Sequence, residues 1–434
     1  MVFRPDLSWS LLPIEEIDSK TVRAVRNHIR YVKEVSPWYQ NLFAGLNVDD
    51  IQSTADIARL PLTDRTTLAE HMSSFLSVSP DVIAETVVTG GTTGKPLFLP
   101  LTANDLERMA YGEALSLNAA GVSAADRVHL CLPFDRMGSA AMTAYRGLTL
   151  IAANTCRIGV VPADVYRQYL ELLKPTAIVG MPSSLKKLAA DLIKSGFDTG
   201  VLNLEKLFCL DESIRTQDMQ LNALGLHLEH YFRAQVYSVY SNTETQLSFC
   251  ECTARCGAHI HPELAYVEIV DDNGNAVSDG VPGELVITPM GVEGVPLVRY
   301  KTGDITYKMS VPCECGRNSV RIGPILGRKS QLFKVQGNTV FSLALTNVLD
   351  GIEAVEDYLV ILEDDDTFSD KVALHVVTAP SNLPQIAGQL RNELHVNVPV
   401  LVSNRATIQH YRNKSIKPIR ILDKRSPVAA DSRR

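Results

Sequence analysis

Thr89-Gly90-Gly91-Thr92-Thr93-Gly94-Lys95-Pro96 is the stretch from which the fold is read. Three glycines and three threonines share its eight positions with one lysine. Glycine tolerates backbone conformations that turn successive N–H groups toward one point, and such a nest holds anions. The β-branched run Thr86-Val87-Val88 precedes it and an apolar run from Leu97 to Leu101 follows, so the segment reads as a loop between two strands. Two better-known phosphate loops are excluded. The spacing before Lys95 differs from that of a P-loop, and Pro96 stands where that motif puts its Mg2+-binding Ser/Thr. Nor does a helix open directly from the glycines, as a dinucleotide-binding fingerprint requires. Taken alone, the segment also fits an ordinary Gly-rich turn.

Outward from the loop, helical and extended patterns alternate. Val22, Val25, Ile29 and Val32 recur at helical spacing and form a core-facing stripe. Thr102 followed by Asp105 predicts a capped helix reaching about Gly121. Strands are expected at 128–132, 149–152, 177–180, 207–210 and 236–240, with helices over 162–173 and 183–195. That alternation predicts α/β layers with parallel strands. From Ile260 the texture changes: alternating runs at 265–270 and 284–288 flank Asp271-Asp272-Asn273-Gly274-Asn275, which predicts antiparallel β structure. A second change falls at Gly327-Arg328-Lys329-Ser330-Gln331, beyond which come β runs at 358–362 and 372–377 and a helix at 383–394. The expected fold class is therefore α/β: a large N-terminal α/β body with an added β region (1–327), plus a small mobile α+β C-terminal lid (328–434).

Composition narrows the partners. A chain of 434 residues, 45% hydrophobic and 21% charged, has the balance of a soluble globular protein with a real core. Its net charge of −7 leaves no basic footprint for nucleic acid or an anionic membrane, so a small molecule is the expected partner, with homodimerisation left open. The N-terminal Met-Val-Phe-Arg-Pro-Asp carries no apolar signal core, and no apolar run approaches ~18 residues. A cytoplasmic location is expected. Eight cysteines in such a chain point to thiols or metal rather than disulfides. Cys250, Cys252 and Cys256 lie close together, His259 and His261 follow, and Cys313-Glu314-Cys315-Gly316 comes further on. Two soft-ligand clusters suit a tetrahedral Zn2+, and four protein ligands would leave no open position, as in a structural site. Cys131, Cys156 and Cys209 sit in or beside apolar strands and read as core.

Five further segments, in order, complete a pattern that resembles the adenylate-forming superfamily, most closely its short branch typified by phenylacetate–CoA ligase. The resemblance covers nearly the whole chain. It implies that Thr89, Gly90, Gly91, Thr92, Thr93, Gly94 and Lys95 grip the triphosphate of ATP. Within Tyr240-Ser241-Asn242-Thr243-Glu244 it places Tyr240 against adenine, Thr243 on the α-phosphate and Glu244 on Mg2+; Ser241 stands where relatives usually have Gly. Asp304, in Tyr300-Lys301-Thr302-Gly303-Asp304, would receive both ribose hydroxyls, and Arg328 the ribose or a phosphate. Leu210-Asp211-Glu212-Ser213 falls at the adenine-lining segment, with only Glu212 aligned.

In the tail, Arg412-Asn413-Lys414-Ser415-Ile416-Lys417 precedes Arg420-Ile421-Leu422-Asp423, which makes Lys417 the implied catalytic lysine and Lys414 its rival. Ser330 replaces the Asp or Lys of the usual lid hinge. The resemblance also selects Cys252, His259, Cys313 and Cys315 for Zn2+, with Cys256 or Cys250 as alternatives to His259.

The implied enzyme is an AMP-forming acid–thiol ligase, an acyl-CoA synthetase-like protein with residues 1–327 as the AMP-binding domain. A small-molecule carboxylic acid attacks the α-phosphate of MgATP, and coenzyme A then takes the acyl group. The acid pocket is expected from 134–145 and near Pro182 and Ser183, where Asp135 to Met142 departs from the Gly/Phe-rich run of phenylacetate enzymes. An aryl acetate is thus not assumed, and Arg136 suits either an anionic acid or a surface position. Two alternatives stay open: adenylation with transfer to an amine, carrier protein or other cofactor, and a degenerate nucleotide-binding regulatory protein.

Overall fold

The structure, a computed structural model, describes residues 8–89, 96–135, 137–335, 338–363, 370–412 and 420–425. Its centre is a six-stranded sheet in the order Asn154–Arg157, Arg127–Cys131, Ala177–Gly180, Lys206–Leu210, Gln235–Asn242, Leu247–Cys250. All neighbours are parallel except the last pair. Side chains alternate across a strand, and here the alternation divides two cores. Val128, Leu130, Ala177, Val179, Phe208 and Leu210 face one cluster, while Cys131, Ile178, Leu207 and Cys209 face the other. Helices cover both faces, which is why the strands read as continuous apolar runs.

One expected strand is corrected. Residues 149–152 form the end of the helix Ala140–Ile151, and the strand begins only at Asn154. Short apolar runs do not distinguish helix from strand. Here packing decides: Ala141, Ala144, Gly147 and Leu148 bury one face against the helix Ala103–Ala119, so closely that a Cβ on Gly147 would lie 2.8 Å from that of Glu113. Ala152, in the left-handed conformation at φ 63°, ends the helix. The capping box of Thr102 and Asp105 forms as expected, and its helix ends at Ala119.

The strands Ile83–Thr89 and Leu97–Thr102 pair antiparallel, with Thr89 opposite Leu97, so the Gly-rich segment does join two strands. Gly90, Gly91, Thr92, Thr93, Gly94 and Lys95 lie outside the described residues. The added β region is a four-stranded sheet in the order Ala265–Val270, Gly283–Pro289, Tyr300–Thr306, Gly327–Arg328, antiparallel throughout. Beyond it, Val400–Val402, Lys371–Val377, Asp357–Glu363 and Ile421–Asp423 make another four-stranded sheet, packed with the helices Ser342–Asp350 and Leu383–Leu394. These elements enclose a core drawn only from residues at or after Phe333. Among the described residues no helix is long and apolar enough to cross a membrane.

A buried ion pair ties the β region to the N-terminal residues Ala58 and Leu60. Arg299 donates to both oxygens of Glu268 at 3.0 Å and to the carbonyls of Ala58 and Leu60. Arg299 and Glu268 are 2% and 5% exposed, so neither charge has water to fall back on. Removing one partner of such a pair strands the other. Arg299→Met is expected to lower the unfolding free energy by about 3–5 kcal/mol in urea titration; a loss below about 1 kcal/mol would show that the pair does not carry this junction.

Candidate active site

Ligand crevices of parallel sheets lie outside the C-terminal ends of their strands, and there the strands ending at Leu210 and Asn242 open a cavity of about 340 Å3. Its walls bring together Glu212, Tyr240, Ser241, Asp304 and Arg328, which lie apart in the sequence.

The centre of the group is Asp304, 4% exposed. Tyr240 Oη donates to its Oδ2 at 2.9 Å, and Arg328 Nε lies 3.1 Å from its Oδ1. Antiparallel pairing puts Asp304 directly opposite Arg328, so the ion pair follows from register. Burial pushes the Asp304 carboxyl above the usual carboxylate range, against the pull of Arg328 and the Tyr240 hydroxyl. Asp304 in turn holds the Arg328 guanidinium above its ordinary value. A buried carboxylate with one oxygen on each of two donors is suited to exchange them for a pair of vicinal hydroxyls.

Glu244 stands at the other end of the motif, buried. Arg65 Nη1 donates both to its Oε1 and to Thr89 Oγ1, the latter at 2.7 Å. One guanidinium thus places Glu244 beside the first residue of the Gly-rich segment. Nothing in the sequence marks Arg65, an arginine one residue after the helix-capping Asp64, because its partners lie 24 and 179 residues away. Thr243 is half-buried in the same turn. Asn242 is used by the fold: its Oδ1 accepts the Thr245 N–H at 2.9 Å, and it does not line the cavity.

Glu212 lines the cavity with both oxygens engaged. Ser183 Oγ donates to one at 2.6 Å and Ser183 N to the other at 2.9 Å. The carboxylate therefore caps the helix Pro182–Lys194 and complements its dipole. Lys417 and its rival Lys414 lie outside the described residues. Arg420, soon after, does reach the cavity wall, donating to Asp350 at 2.6 Å and to the Tyr358 hydroxyl at 2.9 Å. Of the expected acid pocket, Phe134, Tyr145 and Met181 pack against one face of the central sheet, with the Arg157 guanidinium 4.9 Å above the Tyr145 ring.

A second constellation lies behind this wall. The ligand atoms of Cys252, His259, Cys313 and Cys315 all fall within 4.8 Å of one another. Cys252 and Cys313 place their sulfurs 3.6 Å apart, and Cys315 Sγ is 3.4 Å from His259 Nε2. The carbonyl of Ser319 accepts from His259 Nδ1 at 3.1 Å, which fixes the tautomer and turns Nε2 toward the thiols. Burial, with Arg317 and Arg321 nearby, pushes the imidazole down to about 3, so it stays neutral and able to donate a lone pair. Three thiols and one oriented imidazole fit a tetrahedral Zn2+. Cys256 is exposed and Cys250 faces a different core; neither joins the group.

The chain is similar to known proteins over most of its length. The model of the AMP-binding enzyme family matches residues 24–293. The phenylacetate–coenzyme A ligase of Thermus thermophilus is 30% identical over 385 residues, covering 85% of this chain and 83% of its own. That of Escherichia coli is 23% identical over 438 residues, with 96% and 97% covered. Among solved structures, 2-hydroxyisobutyryl-CoA ligase in the postadenylation state, in complex with 2-HIB-AMP, superposes with a TM-score of 0.84 at 19% identity, covering 98% of this chain and 92% of that one. In its thioesterification state, with 2-HIB-AMP and CoA, the same ligase gives 0.70 at 21% identity, with 98% and 93% covered. By family model, sequence and fold alike, this chain belongs to the AMP-binding enzyme family, as a phenylacetate–CoA ligase-like member.

Proposed function

We propose that the chain activates a small-molecule carboxylic acid with ATP and passes the acyl group to coenzyme A. The observation that carries the reading is the convergence of Tyr240, Asp304 and Arg328 on one cavity. An acid oxygen attacks the α-phosphorus, the bond to the β-phosphate breaks, and pyrophosphate leaves. The CoA thiolate then attacks the acyl carbon and AMP departs. Little covalent work falls to the protein, which positions the reactants and neutralises charge.

In this reading Asp304 takes the two ribose hydroxyls, kept charged by Arg328, and Tyr240 stacks against adenine. Glu244 would hold Mg2+, which shields the triphosphate when bound, and the Arg65 guanidinium on Glu244 would keep that carboxylate beside Thr89. Thr243 meets the α-phosphate. Lys417 supplies positive charge to the α-phosphate, a role that the nearby Arg420 on the cavity wall supports. Residues 1–327 serve as the body and 328–434 as a lid hinged near Ser330. A core confined to residues from Phe333 onward supports that division, as does Arg425, which donates to the Ser330 and Leu332 carbonyls at 2.8 Å. The four-ligand group holds a structural Zn2+, and free thiols throughout suit the cytoplasm.

Acid-dependent release of pyrophosphate is expected across a panel of carboxylic acids, with CoA consumed in step. Glu244→Ala should abolish release while leaving the melting temperature within a few degrees. No release with any acid, or release that continues without consuming CoA, would overturn the reading as a whole or its second half respectively. For the metal, protein purified without added ions should contain close to one Zn per chain. Chelation should lower the melting temperature, because a closed site contributes folding free energy; metal-free protein of full stability would return these residues to plain thiols.

A further inference from the structure

The wall of the cavity formed by residues 211–222 has no regular helix or long strand to hold it. Asp211 and Met219 both adopt positive φ, 67° in each case, conformations that β-substituted residues rarely take without outside support. Tyr307 Oη donates to the Gln217 carbonyl at 2.6 Å, and two further side chains hold the ends. Arg215 drops its guanidinium onto the Glu251 carboxylate with two bonds of 2.9 Å and donates to the Val236 and Met219 carbonyls at 3.3 Å. Asn222, 4% exposed, holds the other end.

The amide of Asn222 is fully used. The Gly225 N–H needs an acceptor, so Oδ1 must face it, which it does at 2.9 Å while capping the helix Ala223–Phe232. That choice fixes the NH2 group on the opposite side. One acceptor there is the Ser213 carbonyl, at 2.9 Å, on the cavity wall. The other is Asn347 Oδ1, also at 2.9 Å, on the helix Ser342–Asp350 of the C-terminal segment. Two N–H groups meet two acceptors. The chain approaches closely at this junction, where a Cβ on Gly351 would lie 3.3 Å from that of Ala223. Ser213 and Asn347 both line the cavity.

We propose that Asn222 is a positioning residue that couples the docking of the C-terminal segment to the shape of the nucleotide cavity. With that segment docked, one amide bridges it to Ser213 and stiffens the wall. With it turned away, the wall loses that bridge and keeps the Ser213 bond, the Arg215 anchor and the bond from Tyr307 Oη to the Gln217 carbonyl. Coupling of this kind is reciprocal: a nucleotide that needs the ordered wall favours the docked orientation. One neutral hydrogen bond changes such an equilibrium by about two- to tenfold. The inference rests on the adenylation reading above for its consequence, not for its contacts.

The test uses the full chain carrying Asn347→Ala, which removes the acceptor, and Asn347→Asp, which keeps one. In hydrogen–deuterium exchange without ligand, Asn347→Ala should speed exchange both in 342–350 and in 211–222, and Asn347→Asp should restore the slow pattern. ATP affinity by calorimetry should fall about two- to tenfold in the alanine variant only, while its rate with a synthetic acyl-adenylate and CoA stays level or rises. Faster exchange confined to 342–350, with ATP affinity unchanged, would overturn the coupling. Should the wild type release no pyrophosphate with any acid, the activity reading fails, and exchange with ATP affinity still decides the role of Asn222.

Discussion

A buried carboxylate shared by a tyrosine and an arginine organises this molecule. Asp304 belongs to the antiparallel β region and Tyr240 to the central parallel sheet, so their 2.9 Å hydrogen bond joins two sheets at the mouth of the cavity. Burial disfavours the charge, and the opposing Arg328 guanidinium and the Tyr240 hydroxyl work against that shift. The result is a buried acceptor held in place by two donors before any ligand arrives. In the proposed reading, preorganisation of that kind would lower the cost of binding a ribose, since the acceptor need not be reoriented.

Around this centre the other contacts divide into those that hold the walls and those that face the cavity. Glu212 and Asn242 look from their positions like ligand-facing residues, yet their polar atoms cap the helix of Ser183 and close the turn at Thr245. The four-residue Cys/His group stands next to the Arg215–Glu251 pair through the Glu251-Cys252 peptide, so the proposed metal and the cavity wall share one strand end. Stabilising that end from behind leaves the front free for chemistry.

Much of this architecture is legible in the sequence. Strands such as Ala177–Gly180 are short apolar runs bounded by turn residues, and their register follows from helices on both faces. The segment 149–152 misleads because β-branched and apolar residues cluster at the end of a helix whose identity depends on Gly147 meeting Glu113. Spacing gives two soft-ligand clusters and the family resemblance picks Cys252, His259, Cys313 and Cys315 from them, but only the fold brings those four together and leaves Cys256 exposed. The roles of Arg65 and Asn222 at the cavity are invisible in the sequence for one reason: for each, one deciding partner, Glu244 or Asn347, lies more than a hundred residues away.

The central claim is that Asp304 receives the ribose of a nucleotide, and a binding cycle tests it most directly. Calorimetry should show ATP bound by the wild type more tightly than 2′-deoxy-ATP, by about ten- to a hundredfold, as for a hydrogen bond to a charged group. In Asp304→Asn that gap should largely close. An equal preference for ATP in both proteins, or no ATP binding by the wild type, would contradict the account.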